Sequence, residues 1–98
     1  MRTVIETPTF EKLADKIWSE DERLDFIKWI SLNPLAGDVI PGADGARKVR
    51  WSTKNQGKRG GIRVIYFNVS AQGVIYLITL YQKSDKENIS TNEILKKV

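Results

Sequence analysis

Residues 62–82 read IRVIYFNVSAQGVIYLITLYQ. Two runs of β-branched, aromatic and aliphatic residues flank Ala71-Gln72-Gly73, which predicts two antiparallel strands, Ile62–Val69 and Val74–Gln82. Both are nearly continuously apolar, as central strands covered on both faces for part of their length should be. Gly73 closing a three-residue loop suits a type I turn with a left-handed third residue. That register pairs Ser70 with Val74, Phe67 with Leu77, Ile65 with Thr79 and Arg63 with Tyr81. Directly opposed residues share a face. One face then carries Arg63, Ile65, Thr79, Tyr81 and Lys83. The other carries Ile62, Val64, Tyr66, Ile78 and Leu80, a floor for helices. A two-residue loop would shift the parity and separate Arg63 from Tyr81 and Lys83.

Just before this hairpin the chain is strongly basic. Residues 47–63, RKVRWSTKNQGKRGGIR, hold seven Lys/Arg and no acid. The acid-free region runs over residues 45–84 and contains eight basic side chains, Lys83 being the last. Residues 1–44 carry five basic and nine acidic groups, and residues 85–98 three of each, so the net +4 hides +8 in the middle and −4 at the front. Such a one-sided field is the footprint of a polyanion partner, although charge runs are more often solvated faces. From Ala46 the pattern has period two. Ala46, Lys48, Arg50 and Ser52 point one way, and Arg47, Val49 and Trp51 the other. Residues 53–61 read as a flexible basic loop tip.

Further out, Thr3-Val4-Ile5 predicts a first strand at about residues 2–6. Thr7-Pro8 is a helix start, Thr as N-cap and Pro at the first helical position. Phe10, Leu13, Ala14, Ile17 and Trp18 follow at helical spacing. Ser19-Glu20-Asp21-Glu22 is a capping box opening a second helix. Leu24, Phe26, Ile27, Trp29 and Ile30 form its apolar stripe, and Asn33-Pro34 ends it. Phe10, Trp18, Phe26 and Trp29 are expected in the core. Residues 34–45 hold two Pro and three Gly and predict a loop, with Val39-Ile40 available as a plug. Ser90-Thr91-Asn92-Glu93 opens a short last helix. The order is β-α-α-β-β-β-α over one domain, residues 1–98. It predicts an α+β fold, with a mostly antiparallel sheet and the N-terminal αα-hairpin packed on one face.

The composition excludes several chemistries. The 98 residues contain no Cys and no His, so there is no disulfide framework, no thiolate metal site and no imidazole acid–base group. No acidic cluster lies in residues 45–84 to hold a metal. No apolar run reaches the ~20 residues of a membrane span and no signal-peptide pattern opens the chain. The expectation is a cytoplasmic protein with no cofactor and no metal.

The chain resembles the RelE/ParE superfamily of bacterial toxins, most closely its HigB-type ribosome-dependent mRNA endoribonucleases. The resemblance rests on Asn33-Pro34 with Gly37-Asp38-Val39-Ile40-Pro41-Gly42, on Gly45-Ala46-Arg47-Lys48-Val49-Arg50 and on Gly57-Lys58-Arg59-Gly60-Gly61-Ile62-Arg63-Val64-Ile65-Tyr66. Tyr81-Gln82-Lys83 and Asn88-Ile89-Ser90 complete it. These blocks span residues 33–90 in the family's order, the third being the specific one. Ala46 stands where the family usually has Leu, and Asn88 where it has Asp.

What the resemblance implies is the toxin of a type II toxin–antitoxin module. Such a toxin enters the A site of the 70S ribosome and cuts the mRNA there without a metal. The mRNA 2′-OH attacks the adjacent phosphate, leaving a 2′,3′-cyclic phosphate and a 5′-OH. A phosphorane gathers negative charge, which Arg and Lys stabilise. In the absence of His, a Lys with a lowered pKa is the candidate base or acid, here Lys83 or Lys58. Arg63 is assigned to the scissile phosphate. Tyr81 would orient the 2′-OH or stack on a base. Arg47, Lys48, Arg50, Lys54 and Arg59 would grip the rRNA and mRNA backbones. The expected partner is a cognate antitoxin, a small helix-turn-helix protein.

Bland readings stand beside these. Arg63 would be a strand Arg satisfied by carbonyls, Tyr81 a sheet aromatic, and Lys83 a guard at a strand end. Two other functions fit the same residues, a ParE-type gyrase poison and a non-catalytic basic RNA- or ribosome-binding module.

Overall fold

The computed structural model describes residues 2–51 and 61–82. Strand β1 (Thr3–Glu6) leads into α1 (Pro8–Ile17) and α2 (Glu20–Leu32). Four more strands follow, β2 (Asp38–Val39), β3 (Arg47–Trp51), β4 (Ile62–Val69) and β5 (Val74–Gln82). They form one sheet in the order β1-β5-β4-β3-β2. Only β1 on β5 is parallel, and the other neighbours are antiparallel. This is the expected α+β domain with one addition: the 34–45 segment contains the edge strand β2. The stretch expected to form a last helix, along with Lys54, Lys58, Arg59 and Lys83, lies outside the described residues.

Both helix starts follow the capping logic. Thr7 Oγ1 accepts from Phe10 N (3.4 Å), with Pro8 in the first helical position. Ser19 Oγ accepts from Glu22 N (3.2 Å). Asn33 closes α2, its Nδ2 donating to Trp29 O (2.9 Å). The helices cover one face of the sheet, where Phe10, Ala14, Trp18, Phe26 and Ile30 pack on Val49, Ile62, Val64, Tyr66, Leu77 and Leu80. Aromatic rings run through this layer: Phe10–Trp18 at 6.2 Å, Trp18–Phe26 at 5.5 Å and Phe26–Trp51 at 5.3 Å. Leu24 departs from its expected place in the apolar stripe and is 54% exposed. It sits two residues from Phe26, about 200° around the helix from the face that Phe26 and Ile30 bury.

A smaller core lies on the opposite face, where Ala43, Ala46, Ile65, Ile78 and Tyr81 are buried and Ile40, Phe67 and Tyr76 flank them. The 34–45 segment thus folds under the sheet. Ile40 is the plug, whereas Val39 points out at 53% exposure.

The β4–β5 hairpin departs from the expected ladder at two places. Its loop is four residues long, since Val69 pairs with Val74 and Phe67 with Tyr76 rather than with Leu77. Gly73 is left-handed as expected (φ 66°, ψ 32°), but it follows a 3-10 turn at Ser70–Gln72. Between Tyr66–Leu77 and Ile65–Thr79 the ladder then shifts, with Ile78 the extra residue on β5. This β-bulge restores the register in which Ile65 faces Thr79 and Arg63 faces Tyr81. It also sends Ile78 to the smaller core, away from the helix floor expected for it.

Candidate active site

The ladder lines up three side chains across three strands. Arg50 on β3 pairs with Arg63 on β4, and Arg63 pairs with Tyr81 on β5. Neighbouring strands lie about 4.8 Å apart, so the three share one row on one face. It is the face away from the helices, since Ile65 and Tyr81 belong to the smaller core while Val64 and Leu80 meet the helices. The next row is Lys48, Ile65 and Thr79. Period two along β3 holds as read: Ala46 packs under the open face, and Val49 and Trp51 pack on the helix side.

Burial grades along the row. Arg50 is exposed, whereas Arg63 and Tyr81 are each only 5% exposed. Burial raises the Tyr81 pKa, and the neighbouring Arg63 charge lowers it by less. The phenol therefore stays protonated through neutral pH and can donate a hydrogen bond. Arg63, Tyr81 and Lys48 each already interact within the protein. A guanidinium in so little water interacts more strongly with an anion that reaches it than a surface Arg does. Residues 45–84, which carry it, contain no acid.

Arg47 stands on the other side. It pairs with Tyr66, and its Nη1 donates to Gly37 O at 2.6 Å. Tyr66 completes a staple, its hydroxyl donating to Pro34 O (2.8 Å) and accepting from Gly37 N (3.0 Å). Burial raises the Tyr66 pKa, and the Gly37 N–H and the Arg47 charge oppose that rise. Gly37 is required by close approach, because a Cβ there would lie 2.8 Å from Lys48 O. Half-buried Arg47 thus holds the 34–37 turn against β3. Sequence reasoning missed this use, and the Asn33-Pro34…Gly37 spacing ahead of an Arg was its only trace.

Among the described residues no group of three His, Cys, Asp or Glu could hold a metal ion. None of the helices described is long and apolar enough to cross a membrane.

No family model matches the sequence. The fold, however, matches solved structures. A variant of E. coli toxin RelE in the free state superimposes with a TM-score of 0.65 at 13% identity, covering 98% of this chain and 92% of that one. The isolated E. coli RelE toxin gives 0.63 at 14% identity, over 98% of this chain and 97% of that chain. The intact E. coli RelBE toxin–antitoxin complex gives 0.63 at 14% identity, over 84% and 96%. At such identities the likeness speaks for architecture, and the chain has the fold of the RelE toxin.

Proposed function

We propose that this protein is the toxin of a type II toxin–antitoxin module and acts as a ribosome-dependent endoribonuclease on mRNA in the A site. The observation that carries the reading is the Arg50–Arg63–Tyr81 row, on the helix-free face of a RelE-like sheet within an acid-free segment. Arg63 holds the scissile phosphate and stabilises the charge that grows on it. Protonated Tyr81 orients the 2′-hydroxyl. A neutral Lys amine, Lys83 or Lys58, takes the 2′-OH proton as the 2′-oxygen attacks phosphorus. The P–O5′ bond breaks, and an ammonium returns a proton to the 5′-oxygen. The products are a 2′,3′-cyclic phosphate and a 5′-OH. Lys48 and Arg50, with Lys54 and Arg59 of the basic 47–63 stretch, hold the mRNA and rRNA backbones. Arg47, on the other side of the sheet, is assigned to an rRNA backbone away from that row. The RelBE likeness supports an antitoxin as partner, and we propose a small helix-turn-helix protein in that role.

Profiling of mRNA cleavage after induction in growing cells tests the reading. Cuts inside translated codons, suppressed by the antitoxin, are expected. DNA damage without such cuts would instead indicate a ParE-type gyrase poison, and neither outcome with intact growth a basic binding module.

A further inference from the structure

The register that sets Arg63 against Tyr81 depends on the Ile78 bulge, and the bulge has a specific partner. The Thr7 hydroxyl shares its single proton between Leu77 O (2.8 Å) and Ile78 O (3.1 Å), and Thr7 N donates to Leu77 O (3.1 Å). A bulge leaves its extra residue, Ile78, out of the ladder, so the Ile78 carbonyl needs a donor from elsewhere, whereas Leu77 O is already met by Thr7 N as the parallel β1–β5 pairing ends. Thr7 sits where they can be reached, because parallel pairing of β1 with β5 ends at Glu6–Leu77. The turn-proximal register, Val69 with Val74, would otherwise continue to Arg63 opposite Leu80 and Ile62 opposite Tyr81. Arg63 and Tyr81 would then stand on opposite faces of the sheet.

We propose that Thr7 is a positioning residue: its hydroxyl clamps the β5 bulge and thereby keeps Arg63 and Tyr81 opposed on one face. This rests on the reading of that face as the cleavage site. The same oxygen also caps α1, and substitutions separate the two roles. Ser keeps both. Ionised Asp caps a helix well but only accepts, and would confront two carbonyl oxygens. Gly is a competent cap without a hydroxyl, charge or added volume.

The experiment reads the cross-strand nuclear Overhauser effect between Arg63 and Tyr81, single-turnover mRNA cleavage on ribosomes, and helix content by circular dichroism. Thr7→Ser should keep the cross-peak and stay within about 3-fold of wild-type cleavage. Thr7→Asp and Thr7→Gly should weaken the cross-peak and lower cleavage by on the order of 10-fold or more, with helix content retained. If Asp does not fold, the neutral Gly variant carries the test. Wild-type behaviour of a folded Asp or Gly variant would reduce Thr7 to a cap and overturn the proposal, as would lost cleavage with an intact cross-peak. A lost cross-peak with intact cleavage would leave the clamp standing and bring down the assignment of the reacting face instead.

Discussion

The two halves of the β4–β5 hairpin are one ladder in two registers. From the turn to Tyr66–Leu77, pairing follows the four-residue loop, and beyond the bulge it is displaced by one residue. The turn half is fastened by packing and by hydroxyls used inside the fold, as Tyr66 is. The far half carries Arg63 and Tyr81, buried polar groups on the face the helices leave open. The difference teaches that a turn controls the parity of a strand pair only up to the next irregularity. Past that point another element decides which side chains meet, here the α1 N-cap.

The largest expected effect breaks the far half. Arg63→Ala should lower single-turnover mRNA cleavage on the ribosome by at least ~10²-fold, about 2.7 kcal/mol of transition-state stabilisation. Lys83→Ala should match it. Ribosome binding should fall much less, because other basic groups share that work and only a group touching the developing charge affects the chemical step. Wild-type rates in folded variants would return Arg63 to the bland reading of an internally satisfied strand Arg.

Breaking the turn half should do the reverse. Tyr66→Phe leaves Gly37 N without its acceptor and Pro34 O without its donor, which should cost about 1–3 kcal/mol of stability. Cleavage at saturation should be nearly unchanged. The variant also changes the pH profile. Burial raises the pKa of Tyr66 and Tyr81, so the fold favours their neutral forms. Their contribution is full below the ordinary tyrosine pKa of about 10 and is lost as pH rises through the higher folded values. Denaturant melts between pH 9 and 11 should show stability falling with pH, less steeply in Tyr66→Phe; equal slopes would mean that Tyr66 is not the buried titrating group.

Much of this is legible in the sequence. Thr7-Pro8 and the Ser19 capping box fixed the helix starts, because a cap depends on a few adjacent residues. Period two along β3 placed Lys48 and Arg50 opposite Val49 and Trp51 for the same reason. The hairpin shows where local logic ends. A three-residue loop was expected, and a four-residue loop followed by a one-residue bulge replaced it. The two departures cancel at Arg63–Tyr81 and do not cancel at Phe67 or Ile78. The bulge is settled by Thr7, some seventy residues upstream, and no pattern inside residues 62–82 announces it. Arg47 shows the same limit, since period two assigned its side of the sheet but not the Gly37 carbonyl that occupies it.

A finer comparison lies within the open face. Lys48 sits one row from Arg63, beside Ile65 and Thr79, and on the proposed reading it meets backbone phosphates away from the reacting one. Lys48→Ala should flatten the log–log salt dependence of ribosome binding by roughly 0.7, one single-stranded phosphate contact, with cleavage at saturation nearly intact. A 10²-fold fall in the chemical step would place Lys48 in the same class as Arg63.

The smallest effect tests whether the bulge uncouples the halves. Gly73 adopts φ 66°, and a Cβ built there meets nothing within 4 Å. Gly73→Ala therefore incurs backbone strain alone, about 1–2 kcal/mol for a left-handed residue. In an uninterrupted ladder, relief of that strain by a shorter or longer loop would slip every pair down to Arg63. Here the slip has to stop at Ile78, where Thr7 holds the carbonyls of Leu77 and Ile78. The variant should melt earlier and show altered pairing at Val69–Val74, while the Arg63–Tyr81 cross-peak and the cleavage rate stay at wild-type values. A change at Arg63–Tyr81 that tracks the change at the turn would mean that the turn, and not the clamp, sets the register of the site.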